Sequence, residues 1–175
     1  MYVNEKDSNN SAVIGQRGED LFVTLIKSQT TLDVIKANYT QQVKEHWDYC
    51  LSGGTYPITV DVKAMKRTNR WTGEPQDEVV WVEFRNIYGN DGWLWGNADC
   101  FAFECKEGFI VVGRKDLAKK CEKLVGFKKD EITLDKAKSK IEMYKLYTRK
   151  DRKDILTTIK KQDLLDMKHT RLRYT

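Results

Sequence analysis

The sequence is poor both in chain-breaking residues and in ligands for soft metals. It holds two prolines, two histidines and four cysteines in 175 residues. With Pro57 and Pro75 the only prolines, glycine does most of the punctuation of regular elements. Cys50, Cys100, Cys105 and Cys121 show no C-x-x-C spacing, and His46 and His169 stand far apart. The common Cys/His zinc patterns are therefore excluded, and any metal should be held by oxygen, which favours magnesium or manganese. The cysteines are expected to be reduced and structural. No apolar run approaches the ~20 residues that cross a bilayer. Residues 1–10 are polar and lack a signal-peptide core, so a soluble cytoplasmic protein without membrane contact is the expectation.

What is present is aromatic surface and an uneven spread of charge. A hydrophobic share of 40% with five Trp and eight Tyr suits a globular chain with a real core. The length fits one domain, 1–175. Residues 114–175 carry 20 Lys and Arg against 10 Asp and Glu, a net of +10, whereas residues 1–113 carry 11 against 16, a net of −5. The chain thus reads as a core over 11–113 and a basic C-terminal portion of the same domain over 114–175. Such a division suits a metal site beside a polyanion-binding surface; solvated basic helices would explain the same charge.

Residues 11–29 read as a helix with Leu21, Phe22, Leu25 and Ile26 as its apolar stripe and Ser11 as its cap. Gly15 and Gly18 would let it pack closely on a sheet. Glu19 lies three, four and seven residues from Phe22, Val23 and Ile26, at the margin of that stripe. Short strands at 31–37 and 43–51 lead through the Ser52-Gly53-Gly54-Thr55 turn to a β-branched strand from Ile58, so a hairpin is expected. In that strand Ile58, Val60, Val62 and Ala64 should face a core, and Asp61, Lys63 and Met65 the opposite side. Beyond a polar loop at 67–77 come a third strand at 78–86 and a Gly/Trp-rich loop at 89–97. Strands at 98–105 and 108–113 and a basic helix at 116–125 follow. A strand at 141–148 should pair with 155–159 across a charged turn, before a short helix at 161–167. These elements make an α/β domain with a central mixed sheet of four or five strands flanked by helices.

The hairpin can bring Asp48 close to Asp61 and Lys63. An acid on each of two paired strands has no place in ordinary core packing, although Asp61 and Lys63 by themselves could be a surface ion pair. The order of a helix bearing Glu19, a strand bearing Asp48 and a paired strand bearing Asp61-x-Lys63 resembles the PD-(D/E)xK nuclease superfamily, and the stretch from Trp81-Val-Glu-Phe-Arg-Asn through Gly92-Trp-Leu-Trp-Gly-Asn-Ala-Asp99 resembles its small phage-type members. Trp47 stands where that pattern usually has proline. The resemblance implies a restriction-endonuclease-like αβββαβ core, with the αβββ part running to about residue 86.

It also implies a metal-dependent nuclease, most directly a DNA endonuclease. Asp48, Asp61 and the Val62 carbonyl would be ligands to Mg2+ or Mn2+, Glu19 would bind a second metal or orient a metal-bound water, and Lys63 would contact the attacking water or the phosphate. Nucleic acid is the implied partner, with Lys66, Arg67, Arg149, Lys150, Arg152 and Lys153 as phosphate contacts. Trp71, Trp93 and Trp95 are either stacking platforms or core anchors, the latter being the commoner use. Glu83 and Asp99 are either further site acids or ordinary edge-strand and loop acids, and His46, on the face of Asp48, reads as structural. A junction-resolving homodimer and a non-catalytic nucleic-acid-binding module remain as alternatives. The location implied is cytoplasmic, in the host if the protein is phage-encoded.

Overall fold

The hairpin strand that carries Asp61 and Lys63 sits in the middle of the molecule, and both cores are built on its two faces. The computed structural model describes residues 5–66 and 76–174, with side chains described from Ser11 onward. Helix α1 spans Glu5–Gln29. Strands β1 (Asp33–Lys36), β2 (Tyr49–Ser52) and β3 (Ile58–Lys63) form an antiparallel meander. The chain then crosses over through β4 (Val79–Arg85) and a 3-10 turn at Trp93–Trp95, and enters β5 (Cys100–Cys105) parallel to β3. Strand β6 (Gly108–Gly113), helix α2 (Arg114–Val125), strand β7 (Ile155–Lys160), helix α3 (Lys161–Leu165) and strand β8 (His169–Arg173) complete the order. The main sheet has six strands, β1-β2-β3-β5-β6-β8, and β4 pairs with β7 in a separate two-stranded sheet.

Period-two alternation assigns each face. Val60 and Val62 lie with Ala102, Phe109 and Leu172 in a cluster that α1 closes with Phe22, Leu25 and Ile26. The opposite face presents Phe101 and Phe103, paired in register with Asp61 and Lys63. A larger cluster covers it, built from Trp47, Val82, Phe84, Leu117, Ile155 and Ile159 among others. Each fully buried Phe contributes about 1.5–3 kcal/mol relative to an exposed one.

Several expectations need correction. The sheet exceeds four or five strands because the chain returns to its edge with β8, which the sequence pattern does not mark. The third strand at 78–86 exists, but it pairs with β7 rather than extending the main sheet. Residues 43–51 are not one strand: a π-helical turn at Gln41–Glu45 precedes β2, and Asp48 lies just outside it. Ile58 is exposed, since it sits at the end of the strand, before the pairing with β5 begins at Val60. Residues 141–148 form no strand. Their contact with 155–159 shrinks to isolated bridges, Met143 with Thr158 and Tyr147 with Leu156, because β7 takes β4 as its partner. The helix begins before Ser11, which is therefore not its cap.

Gly18 explains how α1 comes so near β3. A Cβ built there would lie 2.7 Å from the Ala64 Cβ, whereas one on Gly15 would meet nothing within 4 Å. Arg17 and Glu104 lock the approach: the guanidinium donates to both carboxylate oxygens at 2.7 and 2.8 Å, and the Met65 amide donates to Glu104 at 2.8 Å. Gly15→Ala should raise stability by roughly 0.5–1 kcal/mol through helix propensity. Gly18→Ala should lower it despite the same propensity gain. Thermal denaturation of the two variants checks the pair, and equal gains would contradict the close contact.

Candidate functional site

Asp48 owes its position to a sharp reversal at His46, whose backbone is left-handed at φ 57°. A β-carbon makes that conformation unfavourable by roughly 1–2 kcal/mol. The surroundings enforce it. The Asn97 amide donates to the Glu45 carbonyl at 2.7 Å, and a Cβ on Gly96 would come within 2.7 Å of the His46 Cβ, so only glycine fits there. The reversal sends Trp47 into the core and turns Asp48 toward β3. The Asp48 amide donates to the Val60 carbonyl at 2.9 Å, its carbonyl accepts from Ala37 at 2.7 Å, and its Oδ2 accepts from the Val62 amide at 2.8 Å.

Asp61, opposite, is only 4% exposed. Its Oδ2 lies 2.7 Å from the Lys63 ammonium. The surface ion-pair alternative is thus corrected, because neither the acid nor most of the lysine is in free solvent. Desolvation raises the Asp61 pKa, and the Lys63 charge opposes it. Asp48 is pushed up to about 6, by desolvation first and by the Asp61 charge next. The two carboxyl groups lie in mutual hydrogen-bonding range, so a proton shared between them relieves the repulsion. A divalent cation can relieve it in the same way.

Lys63 is held from several sides. Its ammonium lies 4.6 Å from the Trp93 ring centroid, and that ring packs edge-on against Phe101 at 4.7 Å. Glu83, on β4, accepts from the Trp93 amide at 3.4 Å. Burial raises the Glu83 pKa, with Lys63, Lys66 and His46 opposing. Desolvation and the Lys63 charge lower that of His46. Glu83 and His46 are therefore electrostatic neighbours of the lysine, a relation invisible from spacing because β4 belongs to a different sheet.

Glu19 projects from α1 near the pair but is occupied. Its Oε2 accepts from the Tyr49 hydroxyl at 3.0 Å and lies 3.4 Å from the Lys36 ammonium. Its charge reaches Asp61. Even so, among the described residues the group of three or more potential ligand atoms lying within 4.8 Å of one another is Asp77, Cys105 and Glu107, not Glu19 with Asp48 and Asp61. Lys161 already fills that other group, 2.5 Å from Asp77, and the Lys106 amide donates to the same side chain. Asp99 is structural, accepting from the Thr59 amide and hydroxyl, both at 2.9 Å, and so tying β5 to β3.

Of the expected phosphate contacts, Lys66 extends from the end of β3 and lies 5.8 Å from the Trp81 ring centroid. Desolvation first, then the charges of Lys63 and Arg149, lower its pKa, which places Arg149 within electrostatic range. Arg149 itself is paired with the buried Asp154. Lys150, Arg152 and Lys153 are exposed on the same turn. Arg67 and Trp71 lie outside the described residues. Trp93 and Trp95 are core anchors, packed against the large cluster. Beside Lys63, among the described residues, opens a cleft of about 610 Å³ bordered by Lys66, Trp81, Glu83, Trp93 and Leu156.

All four cysteines are free, as expected, and no helix among the described residues is long and apolar enough to cross a membrane. Comparison of the chain with protein-family models, with curated proteins and with solved structures returned no match.

The raised Asp48 pKa makes a testable claim. Between about pH 4 and 6 the native state binds more protons than the unfolded chain, so this group's contribution lowers stability as pH rises through that window. Asp48→Asn removes the effect while keeping an acceptor for Val62. The variant should gain on the wild type by on the order of 2 kcal/mol between pH 4 and pH 7 in urea unfolding. A difference independent of pH would contradict the assigned environment.

Proposed function

We propose that the protein is a divalent-cation-dependent nuclease of the PD-(D/E)xK type that hydrolyses phosphodiester bonds, most directly in DNA. The observation that carries this reading is the pair Asp48 and Asp61, two carboxyl groups forced together, with Lys63 at 2.7 Å from Asp61 and itself bordering an open cleft that the aspartates do not line. Burying two like charges side by side is costly and serves no packing purpose. A hard cation with oxygen ligands explains the arrangement. The helix, the antiparallel meander and a parallel neighbour reached by a crossover support a restriction-endonuclease-like core.

In this reading Asp48, Asp61 and the Val62 carbonyl would hold Mg2+ or Mn2+, which when bound would lower the pKa of a water and neutralise charge on the phosphate. Lys63 exchanges its contact with Asp61 for one with the attacking water or the scissile phosphate, where a compact ammonium stabilises the charge that develops. Trp93 limits where that ammonium can go. Glu19 orients water from its place beside Tyr49 and Lys36, and the positive charge of Lys66 and of the 149–153 turn carries the flanking backbone.

Incubation with supercoiled plasmid and with single-stranded DNA, plus Mg2+ or Mn2+, tests the reading. Cleavage should require the cation and should fall on the order of 100-fold or more in Asp61→Asn and in Lys63→Ala. Glu19→Gln should cost less. Mg2+ should also raise the melting temperature of the wild type and not that of Asp61→Asn. Equal cleavage by wild type and both site variants would sink the assignment.

A further inference from the structure

We infer that the cleft beside Lys63 is a subsite for an unpaired nucleotide, with the Trp81 ring as the stacking surface for its base and Lys66 as the partner of its phosphate. Trp81 is half-buried on the face of β4 that also carries Glu83, and it borders the cleft. Its indole N–H donates to the Gln76 side chain at 3.0 Å, and Tyr147 packs against it at a centroid distance of 6.3 Å. The ring is thus fixed in orientation before any ligand arrives. The Lys66 ammonium lies near the ring, 5.8 Å from its centroid, as a cation attracted to the π-cloud does. A base laid on the ring replaces that weak contact, and the freed ammonium moves to the phosphate on the same nucleotide.

Of the described carboxylates that border the cleft, Glu104 and Asp77 are neutralised by Arg17 and Lys161, so that Glu83 alone opposes Lys63 and Lys66 there, and the basic turn beyond tips the balance toward an anion. Lys63, Lys66 and Arg149 lie within electrostatic range in that order, and the exposed Lys150, Arg152 and Lys153 continue the series along the turn. Size selects a single strand. About 610 Å³ accommodates a ligand of nucleotide scale, far less than a paired duplex occupies. Stacking on an aromatic face tolerates any base, which predicts little sequence preference. The sequence pattern offers Trp71, Trp93 and Trp95 as stacking platforms or core anchors and passes over Trp81, which is hidden by its place in an alternating strand.

The inference rests on the nuclease reading only for the identity of the phosphate that lies next to Lys63. Binding is therefore measured without divalent cation. In EDTA, fluorescence anisotropy with the full chain should show a labelled twelve-nucleotide oligo-dT bound more tightly than a duplex of the same length. Trp81→Ala should weaken oligo-dT binding roughly tenfold, Trp81→Phe should retain most of the affinity, and Lys66→Ala should reduce the salt dependence by about 0.7 in the log–log slope. In the wild type, oligo-dT should protect Trp81 from oxidation by N-bromosuccinimide, read by mass spectrometry; this arm stands even if Trp81→Ala fails to fold. Equal modification with and without oligo-dT, or duplex bound as tightly as single strand, would overturn the subsite. Absence of metal-dependent cleavage, with Trp81 still protected, would instead remove the nuclease reading and leave the subsite in place.

Discussion

One six-residue strand serves two masters. Odd and even positions of β3 point to opposite faces, so Val60 and Val62 anchor α1 while Asp61 and Lys63 are driven into the other side, beside Phe101 and Phe103. Sliding the strand by one residue would bury the charges under α1 and withdraw the valines from it, so the apolar face fixes the polar one. Asp61 is buried because its neighbours in sequence must be. What surrounds it then follows from the need to make that burial tolerable: a lysine two residues on, an aspartate from the preceding turn, and a tryptophan that keeps the lysine in place.

The electrostatics show how incomplete that compensation is. Lys63 offsets one negative charge, and the Val62 amide helps Asp48, yet both carboxyl groups remain above their ordinary range. A purely structural site would have settled this with apolar residues or a second cation from the chain. Lys36 could have provided it, but it is committed to Glu19. Elsewhere the protein does close its ion pairs, as Arg17 with the buried Glu104 and Lys161 with Asp77 demonstrate. Asp48 and Asp61 share the deficit of positive charge with Glu83, whose pKa burial also raises, and the proposed cation would relieve it at the aspartate pair.

The parts of this arrangement readable from sequence are those governed by short-range periodicity. The β2–β3 hairpin, the two faces of β3, the strands at β5 and β6, and the α2 and α3 helices all follow from alternation, glycine turns or helical stripes. Hairpin spacing is enough to reach Asp48, although alternation alone makes its strand too long, because the π-helical turn and left-handed His46 leave no mark in composition. Glu83 is legible only as a possible further acid and Trp93 only as a possible stacking ring; their place beside Lys63, and that of Lys36 beside Glu19, is not. They reach the site through a separate sheet, a 3-10 turn and an edge strand, so only long-range packing brings them there. The same holds for β4, whose pattern is that of any half-buried strand and cannot say which sheet it joins.

The central claim is that Asp48 and Asp61 are held together for a divalent cation. Anomalous diffraction from a crystal soaked in Mn2+ addresses it most directly. The account predicts one peak at about 2.0–2.2 Å from a carboxylate oxygen of each aspartate, with Lys63 displaced from Asp61. A soaked crystal with no peak there, and Lys63 still seated on Asp61, would contradict it.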